Sequence, residues 1–321
     1  MTVARVRIGV NGGLALLLLA LAATFSLLIG ERFYAASTLR SMAFQLPELG
    51  ILSLAMMVTL LKGGLNLSIV ATANLSGLTM AWCLTTLVPG SEGVMWGVWQ
   101  GVSLLAGFAV AALIGLMNGY VIAYLGVSPI LATLGSMSLV KGLAIGLTRG
   151  DVISGFPEPI VFIGNGVVAG VPVGLAVFLG CAIPVALWLS RTPTGAAIYM
   201  IGSNERATRY SGVDTRRVML KVYVVSSLLC AVAAVVMMAR FNSANASYGE
   251  SYLLVTILAA VLGGVDPFGG VGKVAGLALV ILQVISSAFN LLGLSQFLTL
   301  AIWGAILIGA TAVAVRGRRG G

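Results

Sequence analysis

The chain has 321 residues, of which 59% are hydrophobic and only 8% are charged, and its mean hydropathy is +1.08. Soluble domains carry about 25% charged residues, so this composition excludes an ordinary soluble protein and predicts an all-α membrane protein that crosses the bilayer many times. The absence of histidine excludes His-based catalytic triads and His metal sites, and the net charge of +9 fits basic cytoplasmic loops better than nucleic-acid binding.

Ten apolar segments are long enough to be considered membrane spans, since a helix needs about 20 apolar residues to cross the hydrocarbon core. The eighth span is the shortest, and the glycine pair at its end indicates a broken helix. The first is interpreted as a span because no signal-peptide cleavage site follows it. The predicted spans lie at about 10–30, 45–62, 66–88, 95–117, 129–149, 171–190, 219–239, 252–266, 273–292 and 297–315.

The basic residues predict the orientation, because Lys and Arg concentrate in cytoplasmic loops. With ten spans and both termini in the cytoplasm, thirteen Lys and Arg residues fall inside and four fall outside. The outside residues are Arg32, Arg40, Arg149 and Arg240. Residues 150–170 are then expected to form an irregular extracytoplasmic loop. No loop is long enough for a soluble domain, so we expect residues 1–321 to form one transmembrane domain.

Two stripes of polar residues occur inside predicted spans. The stripe in the third span consists of Asn66, Ser68, Thr72 and Ser76. The stripe in the ninth span consists of Gln283, Ser286, Ser287 and Asn290. Each stripe either lines a polar substrate path or joins helices through hydrogen bonds. Ser and Thr alone favour the packing role, whereas the amides of the ninth span leave the two roles evenly balanced, since buried amides need several partners.

Other intramembrane features favour packing over chemistry. Lys141 is interpreted as reaching toward the outer interface, with a substrate role as the alternative. No Asp or Glu is expected in the middle of a span, which argues against a carrier driven by its own ion gradient.

Residues 269–273 resemble a phosphate-binding loop, but Pro267 and Val274 stand where that loop requires Gly and Ser or Thr, so we expect a turn. The glycine pairs Gly97/Gly101, Gly115/Gly119 and Gly142/Gly146 have the spacing of close helix contacts.

The longest polar loop, 191–221, carries six of the 18 basic residues. Ser203 or Asn204 is expected to cap a short helix over 205–210, and Gly212 to end it. Asp214 or Thr215 would then cap the seventh span. A merely solvated loop would explain the charge but not a capped helix.

The loop sequence from Tyr199 to Val213, preceded by Thr194-Gly195, resembles the cytoplasmic loop of bacterial ABC importer permeases of the ribose/xylose/galactose type. The resemblance extends over about residues 45–315 and includes three other motifs, at 63–68, 259–264 and 269–273. Two positions depart from the pattern, because Asn66 replaces a usual Asp and Val70 replaces a usual Gly.

The resemblance implies that the short helix is a coupling helix that docks on an ATPase subunit. Its implied residues are Gly202, Ser203, Asn204, Glu205, Arg206, Ala207, Thr208, Arg209, Ser211 and Gly212. It further implies a multi-pass protein of the bacterial inner membrane that has no cofactor of its own, since ATP binds to the partner. The other implied partners are a periplasmic substrate-binding protein, a second permease subunit, identical or related, and membrane lipid. Nucleic acid is not among them.

The function hypothesis from the sequence is a permease subunit that imports a monosaccharide or similar small polyol. One alternative is a stand-alone channel or secondary carrier, which would transport in liposomes without partner subunits. Another is an ABC permease for a nonsugar ligand such as a nucleoside or signalling molecule. An intramembrane enzyme is disfavoured, because the sequence has no histidine and no paired nucleophile and base.

Overall fold

The computed structural model describes residues 10–272 and 276–319, and thirteen helices make up most of that part. Every predicted span coincides with a helix, which confirms the polytopic all-α architecture. Arg5, Arg7, Lys273 and the start of the ninth predicted span lie outside the described residues. The helices are α1 (Val10–Ile29), α2 (Glu31–Tyr34), α3 (Ala36–Leu61), α4 (Ile69–Leu87), α5 (Gly93–Ala123), α6 (Pro129–Thr148), α7 (Glu158–Asn165), α8 (Val173–Arg191), α9 (Pro193–Tyr210), α10 (Thr215–Phe241), α11 (Tyr252–Leu262), α12 (Gly276–Leu291) and α13 (Gln296–Arg319).

Helix lengths show which elements can cross a bilayer by themselves. Within residues 10–272 and 276–319, five helices are long and apolar enough to do so, namely α3, α5, α6, α8 and α10. In contrast, α11 has 11 residues and a length of about 16 Å, roughly half the hydrocarbon thickness. The predicted span 252–266 was therefore too long, and the predicted break is confirmed because Gly264 turns with φ +87°.

The loop expected at 150–170 was wrongly predicted to be irregular, because it contains two strands and a helix. Strand β1 (Ile153–Ser154) pairs with the later strand β4 (Ser243–Ala244), and β2 (Val167–Val168) forms a hairpin with β3 (Val171–Pro172). Helix α7, between β1 and β2, packs on α10, where the Asn165 side chain donates to the carbonyl oxygen of Ala239 at 2.9 Å. Hydrogen bonds to residues far away in the sequence hold this segment in place, and local sequence patterns cannot reveal such bonds.

Residues 242–251 re-enter the protein interior before α11 begins. The side-chain amide of Asn74, in the first half of α4, donates to the carbonyl oxygens of Ala246 and Tyr248, both at 2.9 Å. This segment consists mainly of turns, and it leads into the 11-residue α11. Irregular backbone at membrane depth is tolerated where it is buried in protein, and here Asn74 satisfies two of its carbonyl groups.

Helices α3 and α10 form the centre of the bundle, and most of their side chains are buried. Helix α5 lies against α10 at the predicted pair Gly115/Gly119. A Cβ atom on Gly115 would lie 2.9 Å from the carbonyl oxygen of Tyr223, so the helices touch through their backbones. That pair is confirmed as a packing site. The pairs Gly97/Gly101 and Gly142/Gly146 face open space in this chain, so their predicted packing role was wrong within the subunit.

Candidate functional site

The predicted cytoplasmic helix is the second half of α9. Helical geometry is interrupted at Asn204 (φ −161°, ψ 100°), whose side-chain oxygen accepts from the backbone N–H of Ala207 at 3.0 Å. Asn204 is therefore the N-cap, and Ser203 instead donates to the carbonyl oxygen of Tyr199. The helix ends where Ser211 donates its backbone N–H to the Ala207 carbonyl and Gly212 turns with φ +83°.

Most side chains between Ser203 and Gly212 are exposed, as a docking element requires. The exception is Thr208, which is 2% exposed and donates its hydroxyl hydrogen to the carbonyl oxygen of Asn204 at 2.8 Å. Glu205, Arg206 and Arg209 all reach the surface. After this helix, Asp214 rather than Thr215 caps α10, because its carboxylate accepts from the backbone N–H of Arg217 at 3.1 Å.

Gly202, just before the capped turn, lies at a junction of three glycine-bearing segments. A Cβ atom there would collide with the carbonyl oxygen of Leu61 and the backbone nitrogen of Gly270. Gly270 donates its N–H to Leu61 at 2.8 Å. Gly269 would place a Cβ atom 3.0 Å from the Gly202 Cα and 2.6 Å from the Gly63 nitrogen. Gly269 and Gly270, in the turn expected at 269–273, thus join α9 to the end of α3.

Lys62, the first residue after α3, connects the capped helix to α10. It is 7% exposed, and its ammonium nitrogen lies 4.9 Å from the centre of the Tyr223 ring. The carboxylate of Glu205, in the first turn of the capped helix, attracts this buried ammonium group.

The polar stripe at the start of α4 is a connected hydrogen-bond network. The Asn66 amide donates to the Ser226 hydroxyl at 3.0 Å, and its carbonyl oxygen accepts from the Ser68 hydroxyl at 2.7 Å. Asn118 of α5 donates to the same Ser68 oxygen at 3.0 Å, and Ser226 donates to the Ala55 carbonyl at 2.9 Å. Asn66, at the position where the resembled family has Asp, thus links α3, α4, α5 and α10.

Thr72 and Ser76 continue the stripe differently. Their hydroxyl oxygens are fully buried and have no hydrogen-bond partner in the described part of the chain, and the same is true of Tyr223 and Ser227 on α10. All four lie among α4, α5 and α10, inside the subunit. The α4 stripe is therefore enclosed by other helices along its whole length.

The stripe on α12 faces a different neighbour. The Gln283 amide donates to the Gln45 side-chain oxygen on α3 at 3.2 Å and to the Ser287 hydroxyl at 3.3 Å. Gln45 in turn donates to Ser41 at 2.8 Å. Ser286 is half-buried and Asn290 is exposed. Between the α4 and α12 stripes, no hydrogen bond occurs among the described residues, so the structure does not join them.

Sequence reasoning missed an ion pair in the bundle. Glu48 of α3 is 0% exposed and accepts from the Arg240 guanidinium at 2.7 Å and 3.2 Å and from the Tyr252 hydroxyl at 2.6 Å. Arg240, which the sequence places in an outside loop, lies in the last turn of α10 and contacts this buried carboxylate. The expectation of no carboxylate in the middle of a span was wrong, because α3 begins at Ala36 and Glu48 lies 12 residues into it.

Lys141 also has a protein partner. Its ammonium nitrogen lies 2.7 Å from a carboxylate oxygen of Glu250, and both side chains are partly exposed. The pair ties α6 to the re-entrant segment 242–251. This contact accounts for the lysine without a substrate.

Replacing Asn66 with leucine should destabilise the subunit by about 1–3 kcal/mol, because the buried polar groups of Ser68 and Ser226 would lose a partner. Thermal unfolding of the purified variant in detergent measures this loss. The matched control is Asn290→Leu, which changes an exposed amide and should leave the unfolding temperature at or above that of the original chain. Equal temperatures for both variants would contradict the role of Asn66.

Comparison with known proteins identifies a transport family. A family model described as "Branched-chain amino acid transport system / permease component" matches residues 38–312. The chain is 33% identical over 270 residues to the autoinducer 2 import system permease protein LsrD of Yersinia enterocolitica, covering 81% of this chain and 78% of that protein. The LsrD protein of Photorhabdus temperata is 30% identical over 278 residues, covering 84% of this chain and 79% of that protein. The LsrD protein of Escherichia coli K12 is 32% identical over 268 residues, covering 81% of this chain and 78% of that protein. No solved structure matches the chain.

Proposed function

Because this chain belongs to the family of ABC importer permease components whose model matches residues 38–312, we propose that it carries a small neutral solute rich in hydroxyl groups into the bacterial cell across the inner membrane. Family membership makes the chain a transport subunit and not an enzyme, with the ATPase on a separate subunit. It also sets aside the stand-alone channel and secondary carrier considered from the sequence.

The substrate class rests on the names of the relatives. Three relatives that match about four-fifths of this chain are named as permeases for autoinducer 2 import. A signalling molecule of that kind is therefore the first candidate substrate, and a monosaccharide is the second. The α12 face supports either one, because Gln45, Gln283 and Ser287 offer neutral amide and hydroxyl groups. Such groups can exchange their mutual hydrogen bonds for bonds to a hydroxylated solute.

The substrate path is proposed along the α12 face rather than along the α4 stripe. Asn66 and Ser68 are each 0% exposed and are bonded to each other and to α5 and α10, so they serve as an internal frame. Thr72 and Ser76 lie in the same enclosed interface. Asn290 is exposed at the end of the α12 face and half-buried Ser286 lies between it and Gln283, which gives the path an entrance and an interior.

The force for transport is proposed to enter through Gly202–Gly212. The exposed capped turn offers Arg206 and Arg209 to an ATPase subunit, while Gly202 contacts Leu61 and Gly270 without a side chain between them. Movement of the turn would therefore pass directly to the ends of α3 and of the 263–272 loop. A substrate-binding protein on the opposite face and a second permease subunit, identical or related, would complete the importer.

The decisive experiment is ATP-driven uptake by the assembled importer in vesicles. Uptake of labelled autoinducer 2 and of labelled ribose should be compared in the same preparation, with and without ATP. Autoinducer 2 should accumulate only with ATP, and an excess of unlabelled autoinducer 2 should compete more strongly than ribose does. Uptake by this chain alone, without ATPase and binding protein, would refute the proposal.

Reversing the charge of the capped turn should uncouple the importer. We expect Arg206→Glu with Arg209→Glu to weaken binding of the ATPase subunit by about tenfold or more, since like charges placed across an interface cost several kcal/mol. Co-purification of the two subunits and ATP-driven uptake report the effect. The control is Arg32→Glu, an exposed arginine on the opposite face, which should leave ATPase binding unchanged. Retention of the ATPase by the double variant would remove this turn from the interface.

Removing the amides of the α12 face should impair uptake without loss of protein. We expect Gln283→Leu with Asn290→Leu to lower uptake at subsaturating substrate by about tenfold, because sites that hydrogen-bond a hydroxyl group discriminate strongly by that bond. The control is Gln100→Leu, which removes a buried amide on α5 that donates to the Trp96 carbonyl oxygen of its own helix. Unchanged uptake at normal expression would return the α12 face to a packing role.

A further inference from the structure

Two tyrosines stack at the cytoplasmic end of α5, beside the start of α10. The ring centres of Tyr120 and Tyr124 lie 5.2 Å apart with an interplanar angle of 18°. The two residues are 52% and 42% exposed. The guanidinium carbon of Arg216 lies 5.6 Å from the centre of the Tyr124 ring. An exposed aromatic pair is thus held beside a cation.

Three basic side chains lie near the start of α10, and two of them form no ion pair with a described residue. Arg217 forms an ion pair with Asp214 at 2.9 Å. Arg216 and Lys221 are exposed, and within the described ranges neither lies within ion-pair distance of a carboxylate. The close approach of Gly119 to Leu220, where a Cβ atom would lie 3.0 Å from the Leu220 Cα, places Tyr120 and Lys221 at the same level of the bundle.

The exposed face of α5 defines the depth of this cluster. Leu105, Leu113 and Leu116 are 68%, 65% and 42% exposed and form an apolar stripe that leads to Tyr120. Along this face the chain therefore passes from aliphatic to aromatic side chains and then to the cation of Arg216. Acyl chains, the interfacial layer and headgroups follow each other in the same order in a leaflet.

We propose that Tyr120, Tyr124, Arg216 and Lys221 form a binding site for one anionic phospholipid of the cytoplasmic leaflet. The lipid phosphate lies between Arg216 and Lys221, the tyrosine rings face the glycerol and ester region, and an acyl chain follows Leu113 and Leu116. The unpaired positive charge selects an anionic headgroup over a zwitterionic one, because basic side chains near a membrane surface attract anionic lipids. This site is independent of the transported substrate and of the capped turn of α9.

Native mass spectrometry of the purified chain with phosphatidylglycerol or phosphatidylcholine tests the site. The original chain should retain one phosphatidylglycerol in preference to phosphatidylcholine. Arg216→Gln should weaken phosphatidylglycerol retention by about fivefold, the effect of one basic side chain at a membrane surface. Arg216→Lys, which keeps the charge but not the planar group beside Tyr124, should weaken it less. The matched control Arg191→Gln removes an exposed cytoplasmic charge elsewhere and should change retention little.

Three results would overturn the lipid site. Equal retention of the two lipids by the original chain would show that charge selects nothing here. Equal losses in Arg216→Gln and Arg191→Gln would indicate diffuse attraction to the membrane surface. Loss of ATPase binding in Arg216→Gln at unchanged phosphatidylglycerol retention would identify the cluster as a protein interface. Circular dichroism of each variant controls for folding, and all the substituted residues are exposed.

Discussion

Substituting alanine at Gly202 should lower ATP-driven uptake by about tenfold or more while ATP hydrolysis continues. The added methyl group would collide with the backbone of both Leu61 and Gly270, and backbone atoms cannot move aside as a flexible side chain can. Overpacking of this kind costs about 1–3 kcal/mol, and about 1.4 kcal/mol corresponds to a tenfold change in an equilibrium. The turn should therefore separate from the end of α3.

The measurement compares ATP-driven uptake with ATP hydrolysis in the assembled importer. The matched control is Gly146→Ala on α6, a helical glycine with nothing within 4 Å of the added Cβ atom. In Gly202→Ala, hydrolysis should persist or rise while uptake falls, whereas Gly146→Ala should behave like the original chain. Normal uptake by Gly202→Ala would show that this contact does not transmit force.

Breaking the buried ion pair by Arg240→Met should destabilise the subunit by about 3–5 kcal/mol, because it leaves the buried Glu48 carboxyl group without its cation. Glu48 is 0% exposed, and its remaining partner would be the Tyr252 hydroxyl. The re-entrant segment that begins after α10 should loosen as a result. Thermal unfolding in detergent and protease sensitivity of residues 242–251 measure the two effects.

Replacing both partners should recover most of the loss. A buried ion pair exchanged for apolar residues of similar size is often neutral or stabilising, so Glu48→Leu combined with Arg240→Met should unfold near the temperature of the original chain. The pair Lys141–Glu250, which is partly exposed, provides the control, and Lys141→Met should cost under about 1 kcal/mol. A double variant as unstable as Arg240→Met would mean that the pair does more than compensate charge.

The sequence predicts the helices well, because a long apolar segment in a membrane must satisfy its backbone hydrogen bonds internally and therefore forms a helix. It also predicts the caps, because Asn204 and Asp214 bond to backbone groups only three residues away in the sequence. The local residue types allowed two candidates at each cap. The backbone geometry selects between them.

Features that depend on distant partners could not be predicted in this way. Glu48 and Arg240 are 192 residues apart in the chain, and strands β1 and β4 have two residues each, too few to leave a pattern. The contact of Gly202 with Gly270 has only a faint signal, which is the presence of glycine at both positions. The glycine pairs show the limit most directly, because identical spacing packs at Gly115/Gly119 and faces outward at Gly142/Gly146.

The backbone contact between α5 and α10 limits how the importer subunit can move. The backbone of Tyr223 and Leu220 lies directly against Gly115 and Gly119, so we expect the two helices to move as one rigid unit. A conformational change between outward and inward access would then take place in the segments that flank this pair of helices. Two such segments are the irregular stretches 62–68 and 242–251, and the first of them lies next to the capped turn.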